Sequence, residues 1–177
     1  MPLVKAGHAA VFVNAGDHKD VLDALCREVP GLADGTTHTD YEEIKGFAQQ
    51  ALTGEVQGVH LFWSQDIYTA VYATNLLMRA SDVLMTKPSE LAFYPVPKLM
   101  LHRVGGHEAW GAIRAAELGD GTFECETVPQ TLQMLHILNE ERSILADMSR
   151  AILRQNAIGT YSGAYKVIRL AMGMPLE

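Results

Sequence analysis

Two short apolar runs, each ending in polar residues or glycines and passing straight into a helix-like segment, constrain this chain most. Both lie between Ser81 and Thr122. The first, Asp82 to Met85, ends at Thr86-Lys87-Pro88-Ser89-Glu90. The second, Lys98 to His102, ends at Gly105-Gly106-His107-Glu108. Apolar runs of this length suit strands buried on both faces. Polar loops just past the carboxyl ends of such strands are where open α/β sheets hold ligands.

The same grammar runs along the chain. His8 to Asn14 and Val59 to Trp63 read as strands. Asp17 is expected to cap a helix over 18–29, stopped by Pro30-Gly31, and Ser64 or Asp66 to cap another reaching Ala80. Tyr41 to Leu52 carries Ile44, Phe47, Ala48 and Leu52 at helical spacing. Gly35 to Asp40 is weakly strand-like. Ser89 to Tyr94 predicts a short helical turn, Glu108 to Leu118 an alanine-rich helix, and Thr122 to Cys125 a last short strand. One or two long helices over 128–156 and a final helix over 159–174 complete the pattern. Strands alternating with helices predict an α/β fold, a Rossmann-like three-layer sandwich with a mainly parallel sheet. A length of 177 residues fits one domain, 1–177, although the chain starts almost inside its first strand and is equally read as one domain of a longer polypeptide.

Composition excludes several function classes. A net charge of −7, with no basic run, speaks against nucleic acid and acidic membranes as partners. No stretch approaches the roughly 18 apolar residues of a membrane span, and no leader-like segment is evident, so a cytoplasmic location is expected. The two cysteines, Cys26 and Cys125, stand far apart and outside any metal-like spacing, as reduced thiols would. His102, His107 and Glu108 lack a companion ligand set, so neither metal nor cofactor is called for. Walker A, G-x-S-x-G, HExxH and G-x-G-x-x-G patterns are absent.

The candidate ligand-binding residues are Thr86, Lys87, Ser89, Glu90, Gly105, Gly106, His107 and Glu108, with Gly16 in the turn after the first strand. Lys87 and Arg103 at strand ends can neutralise phosphate or serve as solvated rim charges. Glu90 and Glu108 can accept from ligand hydroxyls, or simply stabilise the helix starts on which they sit. Gly105-Gly106 can form an anion cradle or a plain turn. The catalytic residues are not identifiable.

Residues 81–122 resemble the carboxyl-terminal half of GT-B glycosyltransferases of the family 28 type, the lipid II N-acetylglucosaminyltransferase and the plant galactolipid synthases. Asp82-Val83-Leu84-Met85-Thr86-Lys87, the helix glutamate Glu90, Val96-Pro97, Gly106-His107-Glu108 and Gly119-Asp120-Gly121 follow the order of that pattern. The resemblance implies a nucleotide-sugar-binding half-domain, for a uridine diphosphate (UDP) sugar, with Glu90 on the ribose hydroxyls. His107-Glu108 would reach the sugar or phosphates. It also implies a second domain or partner protein that binds the acceptor, and hexosyl transfer if the protein is active. Lys87-Pro88-Ser89 replaces the glycine-rich phosphate turn of the family. The alternative is therefore a non-catalytic module on the same scaffold, binding another small anionic ligand or a protein.

Overall fold

A computed structural model describes residues 4, 7, 9–54, 56–89 and 94–175. The expected helical turn over 89–94, and Glu90 with it, lies largely outside these residues. The class is the expected one: helices alternate with parallel strands. The parallel strands are divided between two small sheets, one in each of two compact units, Met1–Ser81 and Asp82–Glu177.

The first unit runs β1 (Ala10–Asn14), α1 (Lys19–Glu28), β2 (Thr36–His38), α2 (Tyr41–Thr53), β3 (Gly58–Phe62) and α3 (Ile67–Arg79). β3 is central, flanked by β1 and β2, all parallel, with Val59 beside Val11 and His38 beside Phe62. Alternation along β3 divides the core. Val59 and Leu61 join Leu22 and Leu32 on the α1 side. Phe62 meets Ile44, Phe47, Ala73 and Leu77 from α2 and α3 on the other. Two covered faces make three layers.

Caps explain the helix starts. The Asp40 carboxylate accepts from the amides of Glu42 and Glu43 at 2.9 and 3.3 Å, and Asp66 accepts from Tyr68 and Thr69. α1 differs from expectation. A turn from the His18 amide to the Ala15 carbonyl delays the helix, so His18 takes the cap position without a side-chain bond and Asp17 lies outside.

The second unit runs β4 (Leu84–Thr86), β5 (Lys98–Met100), a 3₁₀ turn (Gly106–Glu108), α4 (Ala109–Leu118), α5 (Val128–Glu140), α6 (Arg142–Ala157) and α7 (Gly163–Ala171). β4 and β5 are parallel, Met85 beside Leu99. The strand expected at Thr122–Cys125 is only partly regular. Thr122 and Cys125 donate to the carbonyls of Lys98 and Met100, but the amide of Met100 is met by the Thr122 hydroxyl, 3.0 Å away, instead of a carbonyl. The segment thus runs beside β5 as a third parallel edge, broken by one side-chain bond. Met100 packs on Ala112 and Ala115 of α4. Leu99 packs on Leu138 and Met148 of α5 and α6.

α4 docks closely. A Cβ on Gly111 would lie 2.0 Å from the Pro88 carbonyl oxygen, so only glycine lets the helix reach the loop after β4. The helix ends at Gly119, whose φ of 78° is the left-handed closure that glycine adopts without a Cβ penalty. α5 starts with a capping box: Thr127 Oγ1 accepts from the Gln130 amide while Gln130 Oε1 accepts from the Thr127 amide.

Candidate functional site

Three parallel chain segments in the second unit end at the same edge, so the loops following β4, β5 and Gly121 are neighbours. The Ser89 hydroxyl donates to Glu108 Oε1 at 2.5 Å, and Lys87 Nζ reaches the same oxygen at 3.4 Å. Glu108 Oε2 accepts from the amides of Val104 (2.6 Å) and Gly105 (3.2 Å). A single buried carboxylate therefore ties the loop after β4 to the loop after β5. The Ser89 hydroxyl above all, then the two amides, with Lys87 adding its charge, hold this carboxyl down to a pKa of about 2.

This geometry assigns Glu108 a holding role. Its two oxygens take donors from four residues of the chain itself, so the anion in the cradle formed by Val104 and Gly105 is the protein's own carboxylate. His107 stays exposed, and its ring folds back over Gly105, where an added Cβ would lie 2.7 Å from the ring Cε1. Gly106 is exposed and opens the 3₁₀ turn, whose first amides lack intrahelical partners. Thr86 is buried and donates its hydroxyl to the Lys87 carbonyl at 3.2 Å, which shapes the loop without facing solvent. Gly16 belongs to the first unit: its φ of 62° lets its amide turn back to Asn14 Oδ1 and its carbonyl accept from Ser64.

Next to the Glu108 node lies a second carboxylate node that sequence reading passed over. Glu124 accepts from the Arg103 amide at 2.8 Å and from Arg103 Nη1 at 3.1 Å, and His102 Nδ1 lies 3.1 Å from its Oε1. Arg103 was legible as a strand-end cation; its partner, 21 residues away, was not. Glu124 also lines a 280 Å³ pocket with Phe123, Cys125, Gln130, Met134 and Ile137. Burial pushes the Cys125 thiol up from its ordinary value, which keeps it protonated and unreactive at neutral pH.

Beneath this edge sits a buried polar cluster. Lys98 and Asp120 are both fully buried, with Nζ 2.8 Å from Oδ2, and the Tyr161 hydroxyl donates to that same oxygen at 2.6 Å. Asp120 Oδ1 has no hydrogen-bond partner among the described residues. Burial is the main cause lowering the Lys98 pKa; the bond and charge of Asp120 oppose it. Burial likewise raises that of Tyr161, here reinforced by Asp120. The sequence signal was slight: a lysine opening an otherwise apolar strand, and an aspartate between two turn glycines.

The family model for DUF6938, a domain of unknown function, matches residues 1–172. The chain belongs to that family. No curated protein and no solved structure matches it. Membership of DUF6938 assigns no chemistry, so function rests on the residues at this edge. No helix among the described residues is long and apolar enough to cross a membrane.

Proposed function

We propose that the second unit binds a small anionic ligand at the carboxyl edge of β4 and β5. The ligand class implied by the glycosyltransferase resemblance is a nucleotide sugar, with UDP as its nucleotide part. One observation carries the reading: the buried Glu108 carboxylate joins the two loops and leaves a rim of Lys87, His102, Arg103 and His107 around them. Lys87 and Arg103 already pair with Glu108 and Glu124, so an anion at this edge would share those cations with the chain's own carboxylates. The adjoining pocket, at 280 Å³, falls just below the range of about 300–1,000 Å³ usual for small-ligand sites. In this reading Glu108 organises the loops, while His107, Arg103 and the first amides of the 3₁₀ turn meet the ligand. Glu90 would take the ribose by resemblance alone. Transfer of a hexosyl group would need a second domain or partner carrying the acceptor, and a cytoplasmic setting suits such a donor.

The occupied cradle supports a second reading. With the Val104 and Gly105 amides engaged by Glu108, and with no amide hydrogen at Pro88, few backbone donors remain for a diphosphate among the described residues of these loops. A non-catalytic module binding a smaller anion, or a protein, follows from that. Thermal-shift titration with UDP, UDP-N-acetylglucosamine, uridine and pyrophosphate separates the readings. A ligand at a hundred times its Kd raises stability by about 2.7 kcal/mol. Shifts with UDP and its sugar that fall in His107→Ala and Arg103→Ala support the nucleotide-sugar reading. A shift with pyrophosphate alone supports the module, and no shift at millimolar concentrations of any of the four refutes anion binding at this edge.

A further inference from the structure

The first unit holds a hydrogen-bonded chain that the proposed site does not use. Glu43 Oε1 lies 3.1 Å from His38 Nδ1, His38 Nε2 lies 3.2 Å from His60 Nδ1, and His60 Nε2 lies 3.1 Å from the carbonyl oxygen of Gln57. His38 is buried at the carboxyl end of β2, and His60 is half-buried in the middle of β3. The rings are stacked, with centroids 5.4 Å apart, and are walled by Phe12 of β1, Phe47 of α2 and Phe62 of β3. Glu43 is the one carboxylate hydrogen-bonded to the pair among the described residues.

Counting protons along this chain decides its state. The Gln57 carbonyl can only accept, so His60 Nε2 carries a hydrogen. The Glu43 carboxylate can only accept when ionised, so His38 Nδ1 carries one as well. Between His38 Nε2 and His60 Nδ1 one nitrogen must donate and the other accept. Three hydrogens thus occupy four ring nitrogens, whereas two neutral imidazoles hold two. We infer that the His38–His60 pair carries one shared extra proton, balanced by Glu43, and that this proton latches the turn from β2 into α2.

The latch works through Glu43. Its Oε1 faces His38, and its Oε2 accepts from the Thr39 amide at 3.3 Å, within the turn that Asp40 caps. Loss of the shared proton leaves two lone pairs facing each other at one link, and the chain opens there. Gain of a further proton sets N–H against N–H between the rings, which opens it at the other end of the pH range. The structure resists that second proton: burial first, and then the charge of His38, lower the His60 pKa, against the opposing bond to the Gln57 carbonyl. A histidine held below its unfolded value of about 6.5 withdraws stability as pH falls through that value, because the unfolded chain takes the proton more readily.

The test is imidazole nitrogen NMR on the full chain, with His38→Gln, His60→Gln and Glu43→Gln for assignment and comparison. At neutral pH one ring of the pair should show two protonated nitrogens and the other only one, at Nε2 of His60 or Nδ1 of His38. The two should titrate with linked midpoints. Glu43→Gln should remove the retained proton, and protection of the Thr39 amide, taken relative to its intrinsic exchange rate at each pH, should fall at least tenfold once that proton is lost. Two neutral rings at neutral pH, titrating independently and unaffected by Glu43→Gln, would overturn the inference. Protection at Thr39, relative to its intrinsic rate, that is indifferent to the protonation state of the rings would overturn the latch.

Discussion

Replacing Lys98 by methionine tests the energetics of the second unit most directly. Side-chain volume is nearly kept, so the change removes charge and little else. With Nζ 2.8 Å from Asp120 Oδ2, an effective dielectric of about 20 gives roughly 6 kcal/mol of attraction. Burying the two ions costs several kcal/mol each, so the intact pair contributes little net stability. Removing one partner is another matter. Asp120 then stays fully buried with the Tyr161 hydroxyl as its only partner among the described residues, since Oδ1 already has none there. The expected cost is about 3–5 kcal/mol, an uncompensated buried charge. For a unit of this size that lowers the midpoint by at least about 12 °C. Asp120→Asn strands the ammonium in the same way. The double variant Lys98→Met/Asp120→Asn carries no buried charge and should recover about 2 kcal/mol relative to the sum of the singles. Urea unfolding followed by circular dichroism, with amide exchange along β5 to report on this unit separately, reads all three. If Lys98→Met costs less than about 1 kcal/mol, or the single effects simply add, the pair is not desolvated as described and the reasoning fails.

Two further perturbations probe the site. Glu108 sits near a pKa of 2 in the folded chain, against an ordinary 4.5, so its contribution is complete above 4.5 and is lost as pH falls towards 2. Glu108→Gln should flatten the acid limb of the stability profile and speed amide exchange at Val104 and Gly105; an unchanged acid limb would place the buried charge elsewhere. Gly111→Ala, which in an open helix would stabilise by about 1 kcal/mol, should instead destabilise by about 1–3 kcal/mol, because its Cβ would lie 2.0 Å from the Pro88 oxygen. A stabilised Gly111→Ala variant, measured by thermal denaturation, would contradict the close docking of α4.

The α/β class, most helix boundaries and the loops at strand ends were legible because they are local. Apolar runs of strand length, the capping aspartate Asp66 and the stop at Gly119 act within a few residues of themselves. Local signals also brought Lys87, Ser89, Gly105 and Glu108 into one candidate set, and the loops do meet through Glu108. What that carboxylate does there was not legible. A glutamate opening a helix reads alike whether it faces a ligand or turns inward, and the choice depends on donors brought by another loop.

Tertiary structure alone decided the division of the strands between two sheets, the burial of Lys98 against Asp120, and the meeting of His38 with His60. Each depends on partners about 20 residues or more apart in the chain. Charged residues are also read by default as surface groups, since burying them is favourable only where a matching partner is in place. The periodicity of side chains determines which faces turn inward. Which polar groups survive inside depends on the three-dimensional arrangement that completes their hydrogen bonds.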